Sequence, residues 1–167
     1  MIPPFTLVLG GVRSGKSAHA ERLVEALPAP WIYAATAEAL DDEMRARIAR
    51  HRARRDERWL TEEVPLALPA LLAATTRPVL VDCLTLWLSN LMLAGHDVAE
   101  ATSALEAALV RMAHPAVLVS NEVGLGGAAE NSLMRRFADE QGRLNQRLAA
   151  RADHVVLLVA GLPMVLK

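Results

Sequence analysis

Cysteine, lysine and aromatic residues are all scarce in this chain, and each scarcity removes a class of protein. With Cys83 as the one cysteine among 167 residues, no internal disulfide framework can form, and a reducing compartment is expected. Only Lys16 and Lys167 are lysines, although arginine is plentiful; it is the net charge of −1 that argues against a general polyanion binder. Aromatic residues make up 4% of the chain, leaving few rings on which nucleic-acid bases could stack. Long apolar runs are also missing. The stretch 79–94 carries Asp82, Ser89 and Asn90 and is short for a membrane span, and the closing run 155–166 contains Gly161-Leu162-Pro163. Both read as core elements. Near the start, Pro3-Pro4 interrupts the apolar residues and no basic region precedes them, so no targeting signal is expected and the protein is placed in the cytoplasm. No linker, repeat or low-complexity tract divides the chain, which reads as one domain over 1–167.

Against these absences stands Gly10-Gly11-Val12-Arg13-Ser14-Gly15-Lys16-Ser17, a complete G-x-x-x-x-G-K-S phosphate loop. A short apolar run at 5–9 precedes it, and a helical pattern at 18–27 follows. Glycines allow backbone N–H groups to turn inward around a phosphate, and the helix N-terminus adds its positive end. Lys16 is placed to reach the β- and γ-phosphates, and the Ser17 hydroxyl to hold Mg²⁺. Strand, loop, Lys-Ser and helix in register predict that a nucleoside triphosphate binds here.

Further unalternating apolar runs at 31–34, 79–81, 116–119 and 155–159 read as strands buried on both faces. Helices are expected at 42–55, 66–73, 84–93, 99–112 and 133–151. Alternating strands and helices predict an α/β fold: a single P-loop NTPase domain with a mainly parallel central sheet flanked by helices. Ligands of such sheets sit beyond the carboxyl ends of the strands. There, Val79-Leu80-Val81-Asp82 has the Walker B form, an apolar run closed by a carboxylate that can orient Mg²⁺ opposite Ser17. Cys83 reads as a packed core thiol. Asn121 and Glu122, after the run at 116–119, are expected to project into the same crevice, or else to form a capped turn. The small residues Ala35-Thr36-Ala37 permit close approach of a nucleotide or a neighbouring loop.

The segment 42–55 is arginine-rich, with Arg47, Arg50, Arg52, Arg54 and Arg55 around His51. Asp41-Asp42 are expected to cap its start. Met44, Ile48 and His51 follow helical spacing, so His51 lies near the edge of an apolar face. One reading is a solvated face with an incidental histidine. Another is an anion site in which arginines hold a triphosphate and favour a neutral, nucleophilic imidazole. Nucleic-acid binding is not expected, because acids alternate with the arginines from Asp56 onward. His19, His96, His114 and His154 show no metal-ligand spacing and read as structural or solvated.

These motifs resemble the bifunctional adenosylcobinamide kinase/adenosylcobinamide-phosphate guanylyltransferase family of cobalamin biosynthesis. The resemblance runs through G-G-V-R-S-G-K-S (10–17), L-D-D-E-M-R-A-R-I-A-R-H-R-A-R-R (40–55), W-L-T-E-E (59–63), L-V-D-C-L-T-L-W-L-S-N-L (80–91), S-N-E-V-G-L-G (120–126), G-R-L-N-Q-R-L-A (142–149) and V-A-G-L-P-M-V-L-K (159–167). It implies phosphorylation of adenosylcobinamide by ATP or GTP, then transfer of GMP from GTP through a guanylyl-histidine to give adenosylcobinamide-GDP. His51 matches the family's histidine, with Lys16 the second catalytic residue. The implied nucleotide contacts are Gly10 to Ser17, Ala35, Thr36, Ala37, Arg52, Ala53, Arg54, Arg55, Glu63 and Asp82, with Mg²⁺ on Ser17 and Asp82. A homotrimer is implied as well. On the residues alone, a simple small-molecule kinase without a covalent intermediate reads almost equally well, and a non-catalytic nucleotide-sensing module stands third.

Overall fold

The computed structural model describes residues 4–38, 42–53, 55–126 and 131–167, with the side chains at 43, 44, 47, 50 and 51 outside that description. In chain order the elements are β1 (Phe5–Gly10), α1 (Lys16–Glu25), β2 (Trp31–Ala35), α2 (Asp42–Ala53), β3 (Trp59–Glu63), α3 (Leu68–Ala74) and β4 (Val79–Asp82). Then come α4 (Leu84–Leu93), α5 (Val98–Arg111), β5 (Ala116–Asn121), α6 (Ser132–Arg151), β6 (His154–Val159) and β7 (Leu162–Val165), with a short 3₁₀ turn at Gly124–Gly126.

Seven strands form one sheet in the order β3-β2-β4-β5-β1-β6-β7. All neighbours run parallel except β7, which returns antiparallel to β6. The expected α/β architecture is therefore present. The phosphate-loop strand β1 lies between β5 and β6, and β5 separates it from the Asp82 strand β4.

Because side chains alternate along a strand, each strand feeds two cores. Leu7, Leu9, Ile32, Ala34, Val79, Val81, Ala116, Leu118 and Val155 face α3, α4, α5 and α6, where Leu68, Leu88, Leu105, Leu144 and Leu148 cover them. Val8, Tyr33, Leu80, Val117, Val119, Val156 and Leu158 face the opposite side, with Ala20 and Val24 of α1 above them. This second face matters for the site. At the carboxyl ends of the strands, the next residues of the same parity are Gly10, Ala35, Asp82 and Asn121.

Two strands depart from expectation, and both are sheet edges. β3 carries Thr61, Glu62 and Glu63 because an edge strand is half solvated. β7 contains Pro163, which an edge tolerates since its missing N–H breaks no interior ladder. The run 155–166, read as one core element, is instead a hairpin turning at Ala160-Gly161: β6 is largely buried, whereas Leu162, Met164 and Val165 are exposed. The helix expected over 42–55 ends at Ala53, and Arg55 lies outside it. The capping residue Asp41 lies outside the described residues.

Candidate active site

At the end of β1 the chain turns through the phosphate loop into α1, whose first residue is Lys16. Gly15 precedes it at φ 91°, a left-handed conformation that glycine adopts without strain. Gly10 has a different reason to be glycine: a Cβ there would collide with Ser14 Oγ and lie 3.0 Å from the Leu158 carbonyl oxygen. The β6–β7 turn braces the loop from outside, since the Gly161 N–H donates to the Ser14 carbonyl at 3.0 Å. Lys16 is 8% exposed, and its Nζ donates to the Gly11 carbonyl at 3.0 Å. This ammonium is held over the loop rather than free in solvent.

A cleft of about 670 Å³ opens beside the loop on the α1 face, lined by Lys16, Ser17, Ala35, Ala37, Arg52, Arg55, Glu63 and Asp82 among others. That volume suits a nucleotide-sized ligand. Eight sequence-predicted residues are thus brought together. Gly10 to Gly15 form the loop at the cleft's end. Thr36 is fully buried: its hydroxyl donates to the Cys83 carbonyl at 2.7 Å and accepts from the Cys83 N–H at 2.8 Å. It fixes the start of the β4–α4 connection. Ala53 is an exposed residue at the end of α2 and is not among those lining the cleft. His51 lies in the last turn of α2, next to Arg52, but its side chain, like all of Arg54, is outside the described residues.

Several lining residues were not singled out from the sequence: Tyr33, Arg45 and Thr61. Tyr33 is the informative one. Its hydroxyl donates to Asp82 Oδ2 at 3.0 Å, and the Arg55 guanidinium lies 3.4 Å over its ring centroid. Burial, reinforced by the Asp82 charge, raises the Tyr33 pKa and keeps the phenol a donor. Nothing in the sequence links Tyr33 to Asp82. Their proximity follows from the β2–β4 register, which sets Tyr33 beside Leu80 and Ala35 beside Asp82.

Arg55 Nε and Nη1 are buried and find no acceptor among the described residues. A guanidinium stacked on a ring, with unsatisfied donors inside a cleft, is suited to an anion. Arg52, by contrast, is exposed and pairs with Glu63 at 3.7 Å. Cys83 also borders the cleft, but burial, followed by the Asp82 charge, pushes its pKa up to about 11. It stays a neutral thiol near pH 7, as expected of a core cysteine. Ser17 and Asp82 offer hard oxygen donors on the same cleft wall, the chemistry that Mg²⁺ prefers.

Glu122 departs from the expectation that it enters the crevice with Asn121. It follows the last residue of β5, and its Oε1 accepts from Asn145 Nδ2 of α6 at 2.9 Å. Asn121 alone of the two lines the cleft.

The sequence signature of the family described as "Cobinamide kinase / cobinamide phosphate guanyltransferase" matches residues 6–166. The chain is 49% identical over 166 residues to the bifunctional adenosylcobalamin biosynthesis protein CobP of Pseudomonas aeruginosa, covering 96% of each chain. It is 42% identical over 179 residues to the bifunctional adenosylcobalamin biosynthesis protein CobU of Salmonella typhimurium, covering 96% of this chain and 98% of that one. Among solved structures, a prototypical ATPase from the type III secretion system of pathogenic bacteria superposes with a TM-score of 0.55 at 11% identity. That match covers 93% of this chain and 51% of the ATPase, and it speaks for the P-loop fold alone. The phosphate loop, the Asp82 strand and the end-to-end sequence match together establish that this chain belongs to the cobinamide kinase/cobinamide phosphate guanyltransferase family.

Proposed function

We propose that one cleft serves both reactions of this family, with His51 as the residue that carries the guanylyl group between them. Family membership makes the chain a bifunctional transferase of cobalamin biosynthesis, an adenosylcobinamide kinase and an adenosylcobinamide-phosphate guanylyltransferase. The observation that carries the single-cleft reading is that Lys16, Ser17 and Asp82 share their cleft with Arg45, Arg52 and Arg55 from α2 and its C-terminal extension.

In the kinase reaction, loop N–H groups and Lys16 hold the β- and γ-phosphates of ATP or GTP, and the acceptor hydroxyl attacks the γ-phosphorus. When bound, Mg²⁺ neutralises charge on the phosphates, and Ser17 with Asp82 would hold it. In the second reaction the His51 imidazole attacks the α-phosphorus of GTP and pyrophosphate leaves. The corrinoid phosphate then displaces the histidine to give adenosylcobinamide-GDP. A covalent phosphoramidate divides one difficult displacement into two. Stacked Arg55 and the cations around it stabilise charge on the triphosphate as it reacts.

The chain is taken as one domain over 1–167 that works as a homotrimer in the cytoplasm. The exposed apolar edge formed by Leu162, Met164 and Val165 supports assembly, as do the lone thiol and biosynthetic relatives for the location. No helix among the described residues is long and apolar enough to cross a membrane.

The decisive test is GTP labelled at the α-phosphorus. The protein should acquire an acid-labile, alkali-stable label, and His51→Asn should abolish it while corrinoid phosphorylation continues. Undiminished labelling of the variant removes His51 from the mechanism. Acceptor-dependent turnover without any labelled protein would leave a simple kinase.

A further inference from the structure

The last two residues of β5, Ser120 and Asn121, and Glu122 just beyond it are polar, and their side chains alternate between the two faces of the sheet. Ser120 faces α6: its hydroxyl donates to Asn145 Oδ1 at 2.7 Å and accepts from Gln141 Nε2 at 2.9 Å. Glu122 accepts from the same Asn145 at 2.9 Å. Asn121 lies between them with the parity of Val117 and Val119, so its side chain enters the cleft on the α1 face. Its backbone is fixed from two sides. The Asn121 N–H donates to Thr85 Oγ1 at 2.9 Å, and its carbonyl accepts from Asn145 Nδ2 at 3.0 Å. The neighbouring Glu122 N–H ties the segment to the Gly10 carbonyl at 3.2 Å.

One atom of this rigid arrangement is left over. Asn121 Oδ1 is buried and meets no hydrogen-bond donor among the described residues. A buried carbonyl without a donor costs on the order of 1–3 kcal/mol, so a ligand that donates a hydrogen bond would be favoured there. Register places the atom further. Asn121 aligns with Gly10, the first loop glycine, whereas Asp82 on the adjacent strand aligns with Val119. Asn121 thus overhangs the Asp82 level by two residues, about 6–7 Å along the strand. That sets Asn121 outward from Asp82 along the strand direction and level with the first glycine of the phosphate loop, within the same cleft. Phosphate oxygens are acceptors and cannot satisfy a carbonyl; an O–H group can.

We propose that Asn121 Oδ1 accepts the hydrogen bond of the corrinoid's acceptor alcohol and so aims its oxygen at the γ-phosphorus in the kinase reaction. The alcohol oxygen forms the new P–O bond, the bridging oxygen leaves with the nucleoside diphosphate, and the hydroxyl proton passes late to a phosphoryl oxygen and on to solvent. No carboxylate base is required, which agrees with Glu122 being committed to Asn145. Glu122, Asn145, Ser120 and Gln141 are positioning residues that hold Asn121 in place.

The assignment rests on the kinase activity proposed above. Wild-type protein without adenosylcobinamide-dependent release of nucleoside diphosphate overturns that activity and the assignment with it. Given wild-type turnover, full-length Asn121→Ala and Asn121→Leu are compared with Glu122→Gln. Readouts are kcat and KM for adenosylcobinamide, and Kd for a non-hydrolysable ATP analogue with and without Mg²⁺. Misdirecting an attacking group costs about 10²-fold, and both Asn121 variants should lose that much in kcat/KM for the alcohol. Their analogue Kd should shift by less than about threefold, far below the loss expected of a residue that grips the triphosphate. Glu122→Gln keeps the acceptor for Asn145 and should lose less than about tenfold, below the usual 10²–10⁴-fold contribution of a general base. The proposal is overturned by a Kd loss matching the turnover loss, a Kd loss confined to Mg²⁺ (which assigns Oδ1 to a metal-bound water), or an equal loss in Glu122→Gln. Loss of nucleotide binding in both Asn121 variants also overturns it, since it would make the residue structural.

Discussion

The phosphate loop and the arginine-rich helix α2 both deliver cations to one cleft, yet they are built in opposite ways. The loop is part of the core. Its lysine and Ser14 are buried, its first glycine has no room for a methyl group, and its backbone is tied to the β6–β7 turn. Helix α2 lies on the surface. Each of its residues with a described side chain is exposed or half-buried, and its Arg45–Asp42 and Arg52–Glu63 pairs are solvated. Solvated ion pairs contribute about 0–1 kcal/mol. The segment just beyond the helix joins the two designs, because Arg55 turns back to stack on Tyr33 and Tyr33 bonds Asp82. A phosphate loop anchored in the core is thereby coupled to a solvated helix that carries His51, the proposed nucleophile. That division suits the proposed use of one cleft for both reactions, at the γ- and then the α-phosphorus.

The comparison is broken most severely at Lys16. Lys16→Ala should reduce corrinoid phosphorylation by about 10³-fold or more, because the ammonium meets charge spread over the transferring phosphoryl group. Steady-state assay with γ-labelled ATP checks this, and a loss below tenfold would deny the loop its leading role. A pair of substitutions sharpens the contrast between buried and exposed arginines. Arg55→Ala should weaken GTP binding by about tenfold or more, as expected for a desolvated charge-assisted contact. Arg52→Ala, at a solvated position, should weaken it by less than about fivefold. Titration calorimetry of both variants decides, and equal losses would erase the distinction. The smallest effect concerns stability. Gly10→Ala must displace Ser14 or the Leu158 backbone and should cost about 1–3 kcal/mol by overpacking. Denaturant unfolding measures it.

Local pattern made much of this legible. Strand, loop and helix around 10–17 share one stretch of chain, so their chemistry and their structure are encoded together. The place of Asp82 at a strand end in the cleft was equally readable, because an apolar run closed by a carboxylate needs no partner to be noticed. Two edge strands escaped notice for different reasons: β3 carries acids and loses the apolar signal, whereas the apolar β7 was merged with β6 into the single run 155–166. Glu122 was misplaced because strand parity persists past the last residue of β5, turning it towards Asn145 while Asn121 enters the cleft.

By itself the sequence determined the alternation of strands and helices, the phosphate-loop motif and the family, because each is written in contiguous residues or in end-to-end similarity. Tertiary structure alone decided the strand order, the joining of Tyr33 and Arg55 to Asp82, and the buried Asn121 side-chain carbonyl that meets no donor among the described residues. Those depend on register between segments far apart in the chain, and no local propensity specifies which strand lies beside which.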